Sequence, residues 1–356
     1  MGRGWSFAAV VLVAMLSLVC LAGCGNPTAG TDAGMDPGLF GIHLSNRLGT
    51  GYDETFAAFS ELGATWVRTS IPWEKVEPEN GAFDWENTDR MVEAASEHDI
   101  HLLITIRALS TWGCSRVPAN WSKPGYHAAV PPADMAEYEE FVRAFVGRYS
   151  GRGVAWQIDN EPNAKAFWDG TMQEYLALLE AGYTAAHEAD PGAVVLPAGL
   201  ACGFSLTGYP EEKRDRIGDW FTAILDTEAH DALDMHDYYP AEGANPWGIA
   251  FGEYIDWHRV WMDERSVDAP LWMSEAGVPS EPITIGGREI GHTESRQASG
   301  LEAIYETSAS KGIAHVFWLK LVDTDEYSFS SMGLMTDDLV KKPAWESYRD
   351  LAKSDL

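Results

Sequence analysis

The feature that most limits what this chain can become is a regular alternation of short β-rich runs with longer helical ones. β-rich runs span 39–44, 65–70, 101–106, a stretch from Val154 to Ile158, 193–198, 232–239, 270–275 and 313–319. Helical signals fill the gaps at 52–62, 89–98, 134–149, 172–189, 216–227, 254–266 and 295–311, with a closing helix over 344–352. Asp134 reads as an N-cap, with Glu137 three positions later completing a capping-box pattern, and Asp190-Pro191-Gly192 is a strong helix stop. Strands that alternate with helices call for parallel pairing through crossover connections. Eight such strands are what closure of a barrel requires. The expectation is an α/β protein with a single (β/α)8 TIM barrel over residues 38–356.

The amino terminus is read separately. Arg3 gives a positive start, residues 7–18 form a short apolar core, and Leu21-Ala22-Gly23-Cys24 closes the segment. The run is too short to span a bilayer and reads as an export signal over 1–24. Residues 25–37, rich in Gly, Thr, Asp and Pro, read as a flexible tether. The Leu-Ala-Gly-Cys string resembles the bacterial lipobox. That resemblance implies lipidation of Cys24 and anchoring to the cell envelope, the alternative being a cleaved signal and a secreted protein.

The 356 residues carry 25 Lys plus Arg against 54 Asp plus Glu, a formal charge of −29. Nucleic acid is disfavoured as a partner, since phosphate needs a basic footprint, and strongly anionic substrates are disfavoured with it. A monomer touching a membrane only through its lipid anchor is the simplest expectation. Outside the export segment only Cys114 and Cys202 remain, so in an oxidising compartment either a disulfide or two free thiols fits. No Cys-His cluster has the spacing of a zinc site, and no cofactor is expected.

Two carboxylates end strands. Val154-Ala155-Trp156-Gln157-Ile158-Asp159-Asn160-Glu161-Pro162-Asn163 starts as a buried-type strand. Pro162 stops it and is expected to bias Glu161 toward extended backbone. Leu271-Trp272-Met273-Ser274-Glu275 ends a later strand in the same way. The separation, 275 − 161 = 114 residues, leaves room for two intervening strands and their helices. Strand ends four and seven face each other across a barrel mouth, so the two carboxyls can flank a glycosidic oxygen.

Trp-Gln-Ile-Asp-Asn-Glu-Pro-Asn resembles the fourth-strand signature of the clan A retaining glycoside hydrolases. The first six residues are similar to the family 42 β-galactosidases, and Pro162-Asn163 to families 5 and 39. The tail from Gly333-Leu334-Met335 through Pro343-Ala344-Trp345 is similar to the closing segment of families 5 and 39. The resemblance implies that Glu161 is the acid/base, Glu275 the nucleophile and Asn160 the contact to the sugar 2-hydroxyl. It further implies that Arg68 holds the nucleophile ionised, that Tyr238 hydrogen-bonds it, and that His236 lines the acid/base side. Trp318, ending strand eight, would be the platform under the sugar.

Of the 15 Trp, Trp66, Trp156 and Trp272 lie inside strands and read as core. Trp73, Trp112, Trp121, Trp168 and Trp247 fall in expected rim loops and are candidates for sugar contact. One departure stands out: strand three ends in Ile106-Arg107, where many family 5 members carry a sugar-binding His. The functions in view are hydrolysis of β-linked glycosides by double displacement, transglycosylation with the same residues, and glycan binding without cleavage.

Overall fold

The computed structural model describes residues 38–45, 48, 51–119, 121, 127–201, 210–238, 251–285, 288–290, 292–324, 329–354 and 356. The export segment with Cys24, the tether, Cys202, Trp247 and the Tyr239-Pro240 pair lie outside the described residues. In chain order the elements are β1 (Phe40–His43), α1 (Asp53–Leu62), β2 (Trp66–Pro72), α2 (Trp73–Val76), α3 (Glu86–Glu97), β3 (His101–Arg107) and α4 (Met135–Arg148). Next come β4 (Val154–Ile158), α5 (Met172–Ala189), β5 (Val195–Pro197), α6 (Pro210–Leu225), β6 (Leu233–Tyr238), α7 (Glu253–Glu264) and β7 (Leu271–Gly277). The chain then forms a hairpin of β8 (Ile283–Ile285) and β9 (Arg288–Ile290), α8 (Glu294–Ser310), β10 (Val316–Trp318), β11 (Lys320–Val322), β12 (Gly333–Met335) and α9 (Pro343–Ala352).

Eight strands form one sheet in the order β5-β4-β3-β2-β1-β10-β7-β6, every pairing parallel. The order is sequential once wrapped, which is the signature of a (β/α)8 barrel. β5 and β6 meet at the closing seam. Asp231 fastens it: its N–H donates to the Val195 carbonyl at 2.9 Å, and its carboxylate accepts the Val195 N–H at 2.8 Å. Tyr183 and His187 of α5 also reach that carboxylate.

The strand side chains alternate, as period-two geometry demands. Inward-facing Trp66, Leu103, Ala155, Leu196, Trp272 and Phe317 fill the lower barrel as a separate apolar cluster. Gly41 makes room there, since a Cβ on it would lie 2.6 Å from the Phe317 ring. Above this plug the inward residues turn polar: Arg68, Thr105, Gln157, Asp234 and Ser274 are all buried. Outward-facing residues pack the strands against the helices in one larger core.

The helix ends have local causes. Thr171 and Glu174 form a reciprocal capping box at the start of α5. Asp134 caps α4 by accepting the Ala136 N–H, but the expected box is not completed, because the Glu137 carboxylate accepts from Asn80 instead. Cys114 is a buried free thiol whose sulfur contacts the Ala108 carbonyl. No helix among the described residues is long and apolar enough to cross a membrane.

Asp231→Ala removes the seam fastener while leaving both strands intact. It is expected to cost about 2–3 kcal/mol in urea unfolding, the scale of hydrogen bonds to a charged group. Amide exchange at Val195 should accelerate more than at Leu103 in the middle of the sheet.

Candidate active site

Arg68 rises from β2 into the polar layer with none of its surface exposed. Its Nη1 donates to Glu275 Oε1 at 2.5 Å, and Nη2 to Asn160 Oδ1 at 2.7 Å. Nε and Nη2 both donate to Gln157 Oε1, at 3.0 and 2.7 Å. A guanidinium only donates, so each of these partners must present an oxygen. The amide orientations of Asn160 and Gln157 follow. Asn160 is left offering its NH2 group, the donor needed for a sugar hydroxyl.

Glu275 lies two residues before the end of β7, its side chain 13% exposed. Tyr238 at the end of β6 donates its hydroxyl to Oε2, and Phe329 packs on the Tyr238 ring. Burial alone would raise the Glu275 pKa, but the cations at His236 and Arg68 outweigh it and hold the carboxyl well below its usual range. Glu161 is its opposite. Buried to 4% exposure, it is pushed above the usual carboxylate range by desolvation, with Glu275 adding to the rise and His236 opposing it.

His236 joins the two. Nδ1 lies 3.0 Å from Glu161 Oε1 and 3.7 Å from Glu275 Oε2. Burial disfavours a charged ring, yet the surrounding carboxylates Glu275, Asp234 and Glu161 overcome it and push His236 up to about 10. One ligand-type atom each from Glu161, His236 and Glu275 lies within 4.8 Å of the others. Such a trio could hold a cation, but the Arg68 guanidinium already occupies Glu275 and repels one.

The backbone that delivers Glu161 is left-handed at two positions, Asp159 at φ +62° and Glu161 at φ +45°. The extended geometry expected before Pro162 does not occur at Glu161. Tertiary bonds override the local preference: the Glu161 N–H donates to the Gly199 carbonyl at 3.1 Å, and its side chain is held by His236. Backbone of this kind costs on the order of 1–3 kcal/mol per residue and persists where the surroundings fix it. Asp159 supplies the fixing. Its carboxylate accepts the N–H groups of Ala108 and Asn160 and pairs with Arg107 Nε at 2.8 Å.

Arg107 Nη2 donates to the carbonyls of His127 and Phe167. Arg107, the departure noted at strand three, is therefore a buried strut under the acidic turn.

Four polar residues expected at the site are thus brought together around Glu161 and Glu275: Arg68, Asn160, His236 and Tyr238. Two aromatic expectations are corrected. Trp318 is fully buried, its indole N–H given to the Met332 carbonyl, so no ring face is open to a sugar. Trp73 is also fully buried, stacked on Phe141 and donating to Glu77. Trp73 is covered by Tyr138 and Phe141 of α4 together with Trp112, and Trp318 by the segment that carries Met332. Trp168 is buried likewise, while Trp112 and Trp121 are half-buried.

Sequence reasoning missed His43 at the end of β1, beside Arg68 and Glu275. Burial and the Arg68 charge push its imidazole down to about 3, and Nδ1 has no hydrogen-bond partner in the structure. It also missed Gln157, Asp234 and Ser274, whose only signal is a polar residue at an inward strand position.

Comparison with known proteins fits this picture. Residues 49–190 match the glycoside hydrolase family 42 model, described as beta-galactosidase. Endo-1,4-beta-xylanase 1 of Gibberella zeae is 25% identical over 154 residues, 41% of this chain and 40% of that protein. Endo-1,4-beta-xylanase 2 of Claviceps purpurea is 31% identical over 142 residues, 37% of this chain and 40% of that one. The chain thus spans about two fifths of the curated relatives it matches. A family 39 glycoside hydrolase from Bacteroides cellulosilyticus superposes with a TM-score of 0.66 at 19% identity, covering 89% of this chain and 64% of that one. A family 10 endoxylanase from a sugarcane soil metagenome superposes at 0.60 with 17% identity, covering 89% and 98%. The clan A resemblance read from the strand ends is borne out by these matches.

Removing the strut should show its worth. Arg107→Ala leaves Asp159 buried and unpaired, expected to cost about 3–5 kcal/mol by chemical denaturation. Arg107→Ala combined with Asp159→Ala should recover part of that loss, revealing coupling between the two.

Proposed function

We propose that the chain is a retaining glycosidase that cleaves β-linked glycosides or polysaccharides by double displacement. The observation that carries this reading is the pair of carboxyl groups with opposite protonation tendencies, an oxygen of each within 4.8 Å of the other. Retaining enzymes hold their carboxyls roughly 5–5.5 Å apart, whereas inverting ones need space for a water between them.

Glu275, kept anionic by Arg68 and Tyr238, attacks the anomeric carbon. Glu161 delivers its proton to the departing glycosidic oxygen, leaving a glycosyl ester on Glu275. Esterification removes the Glu275 charge that had raised Glu161, so Glu161 now ionises more readily. It takes a proton from water, the oxygen attacks the same carbon, and the Glu275 carboxylate leaves. The Asn160 NH2 group, oriented by Arg68, donates to the 2-hydroxyl as charge develops. The names of the matched relatives make xylans and β-galactosides the first substrates to try, with β-glucans and β-mannans beside them.

Wild type and Glu275→Gln should be run against that panel and aryl β-glycosides. Activity should fall to background in the variant, and the first product seen by NMR should keep the β configuration; an inverted product contradicts double displacement. Glu161→Ala should lose about 10²–10⁴-fold on unactivated glycosides, with much less loss for an acidic phenol leaving group. The kcat/KM profile should be bell-shaped. Its acid limb reports Glu275, below the usual carboxylate range, and its basic limb reports the Glu161–His236 pair, above it.

The amino-terminal reading is also proposed: export through residues 1–24, lipidation of Cys24 and a tethered barrel at the cell envelope. Cys24→Ser should abolish fatty-acid labelling and release the protein from the membrane fraction. Labelling that survives the substitution overturns the anchor.

A further inference from the structure

Behind the two carboxyls lies a third, buried one. Asp234 of β6 is 1% exposed, and three donors converge on it: the Ser274 N–H on Oδ1 at 2.9 Å, and Gln157 Nε2 and Ser274 Oγ on Oδ2, each at 2.5 Å. Gln157 can turn only its NH2 toward Asp234, because Arg68 and Thr105 both donate to its Oε1. Ser274 Oγ has one proton, given to Asp234. Toward His236 Nε2, 3.0 Å away, that oxygen therefore offers a lone pair.

The consequence for the imidazole is specific. Nε2 must carry a proton, and Nδ1, facing Glu161 Oε1, either carries a second one or accepts the proton of Glu161. In both cases a single proton lies between His236 and Glu161. Its removal would leave a bare nitrogen against a carboxylate, so it is held tightly.

We propose that Asp234, acting through the Ser274 hydroxyl, is a positioning residue that fixes the Nε2–H tautomer of His236 and so keeps a shared proton on the Glu161 side of the ring. This rests on the acid/base role proposed for Glu161. The packing leaves the ring no other arrangement. A Cβ on Gly199 would lie 2.4 Å from His236 Nε2 and 2.6 Å from Asp234 Oδ2, so only glycine lets that loop close over both. The charged and titratable groups around the ring are Glu161 from β4, Glu275 from β7, Asp234 from β6, and His43 from β1 with Arg68 of β2 behind Glu275. Of these only Asp234 reaches the Nε2 side.

The test reads the tautomer directly, by NMR of protein labelled with 15N-histidine, with His236 assigned from the signal lost in His236→Asn. Wild type should show Nε2 protonated across the whole pH range of the folded protein, with only Nδ1 titrating. Asp234→Asn places an NH2 against Ser274 and against Gln157, so Asp234→Ala, which brings no new donor, runs beside it. In either variant Ser274 is freed to donate to Nε2, and the proton should move to Nδ1. Nδ1–H then stabilises the Glu161 carboxylate, and the basic limb of kcat/KM should drop by about one pH unit or more. A merely structural role would lower the rate without moving that limb.

A bare Nε2 in the wild type, or an unchanged tautomer in both variants, overturns the proposal. The tautomer is read without substrate, so absent hydrolysis would count against the acid/base role of Glu161 and not against the tautomer assignment.

Discussion

A guanidinium with no exposed surface sets the terms for everything around it. Arg68 cannot be buried without acceptors, and the loss of Glu275 would leave an uncompensated charge in a low-dielectric interior. Its three partners are Glu275, Asn160 and Gln157. Fixing the oxygen of Gln157 sends the other end of that amide to Asp234, which orders Ser274 and through it His236. One planar cation thus orients a chain of hydrogen bonds that crosses the barrel and ends at the second carboxyl. A lysine could supply the charge but not the fork that addresses three acceptors at once.

The barrel divides its interior to make this possible. Below, Trp66, Trp272 and Phe317 exclude water and give the polar layer a rigid floor. Above, Glu161 is delivered on left-handed backbone that the chain would not adopt alone. The Arg107–Asp159 pair and the Gly199 carbonyl hold that turn in place. The two carboxyls differ because their neighbours differ: Glu275 receives a cation and a phenol, whereas Glu161 receives burial and a shared proton.

Much of this was legible in the residue order. The eight strands and most helices between them fall close to their expected ranges, with α5 starting and ending as read at the Asp190-Pro191-Gly192 stop, whereas α6 begins at Pro210 and not at 216. Glu161, Glu275, Arg68, His236 and Tyr238 were readable from their places along the strands. Tyr238 ends β6, His236 and Glu275 lie two residues short of the ends of β6 and β7, Arg68 points inward from β2 and Glu161 follows β4, so the barrel gathers these residues at the carboxyl side of its strands. Trp73 and Trp318 were misread because exposure depends on what covers a ring, and a single position does not reveal that. Asp234, Ser274 and Gln157 escaped notice because an inward polar residue inside a strand looks like ordinary alternation until its partners on other strands are known. The left-handed Glu161 was hidden for a related reason: local preference before proline pointed the other way, and only tertiary bonds reversed it.

The most direct measurement is to trap the intermediate. A 2-deoxy-2-fluoro glycosyl fluoride of the β configuration slows breakdown of the glycosyl ester more than it prevents attack. Digestion and mass spectrometry of the treated protein should then find one sugar on the peptide that carries Glu275. A label on any other carboxylate, or hydrolysis with no label and an inverted product, would contradict the account.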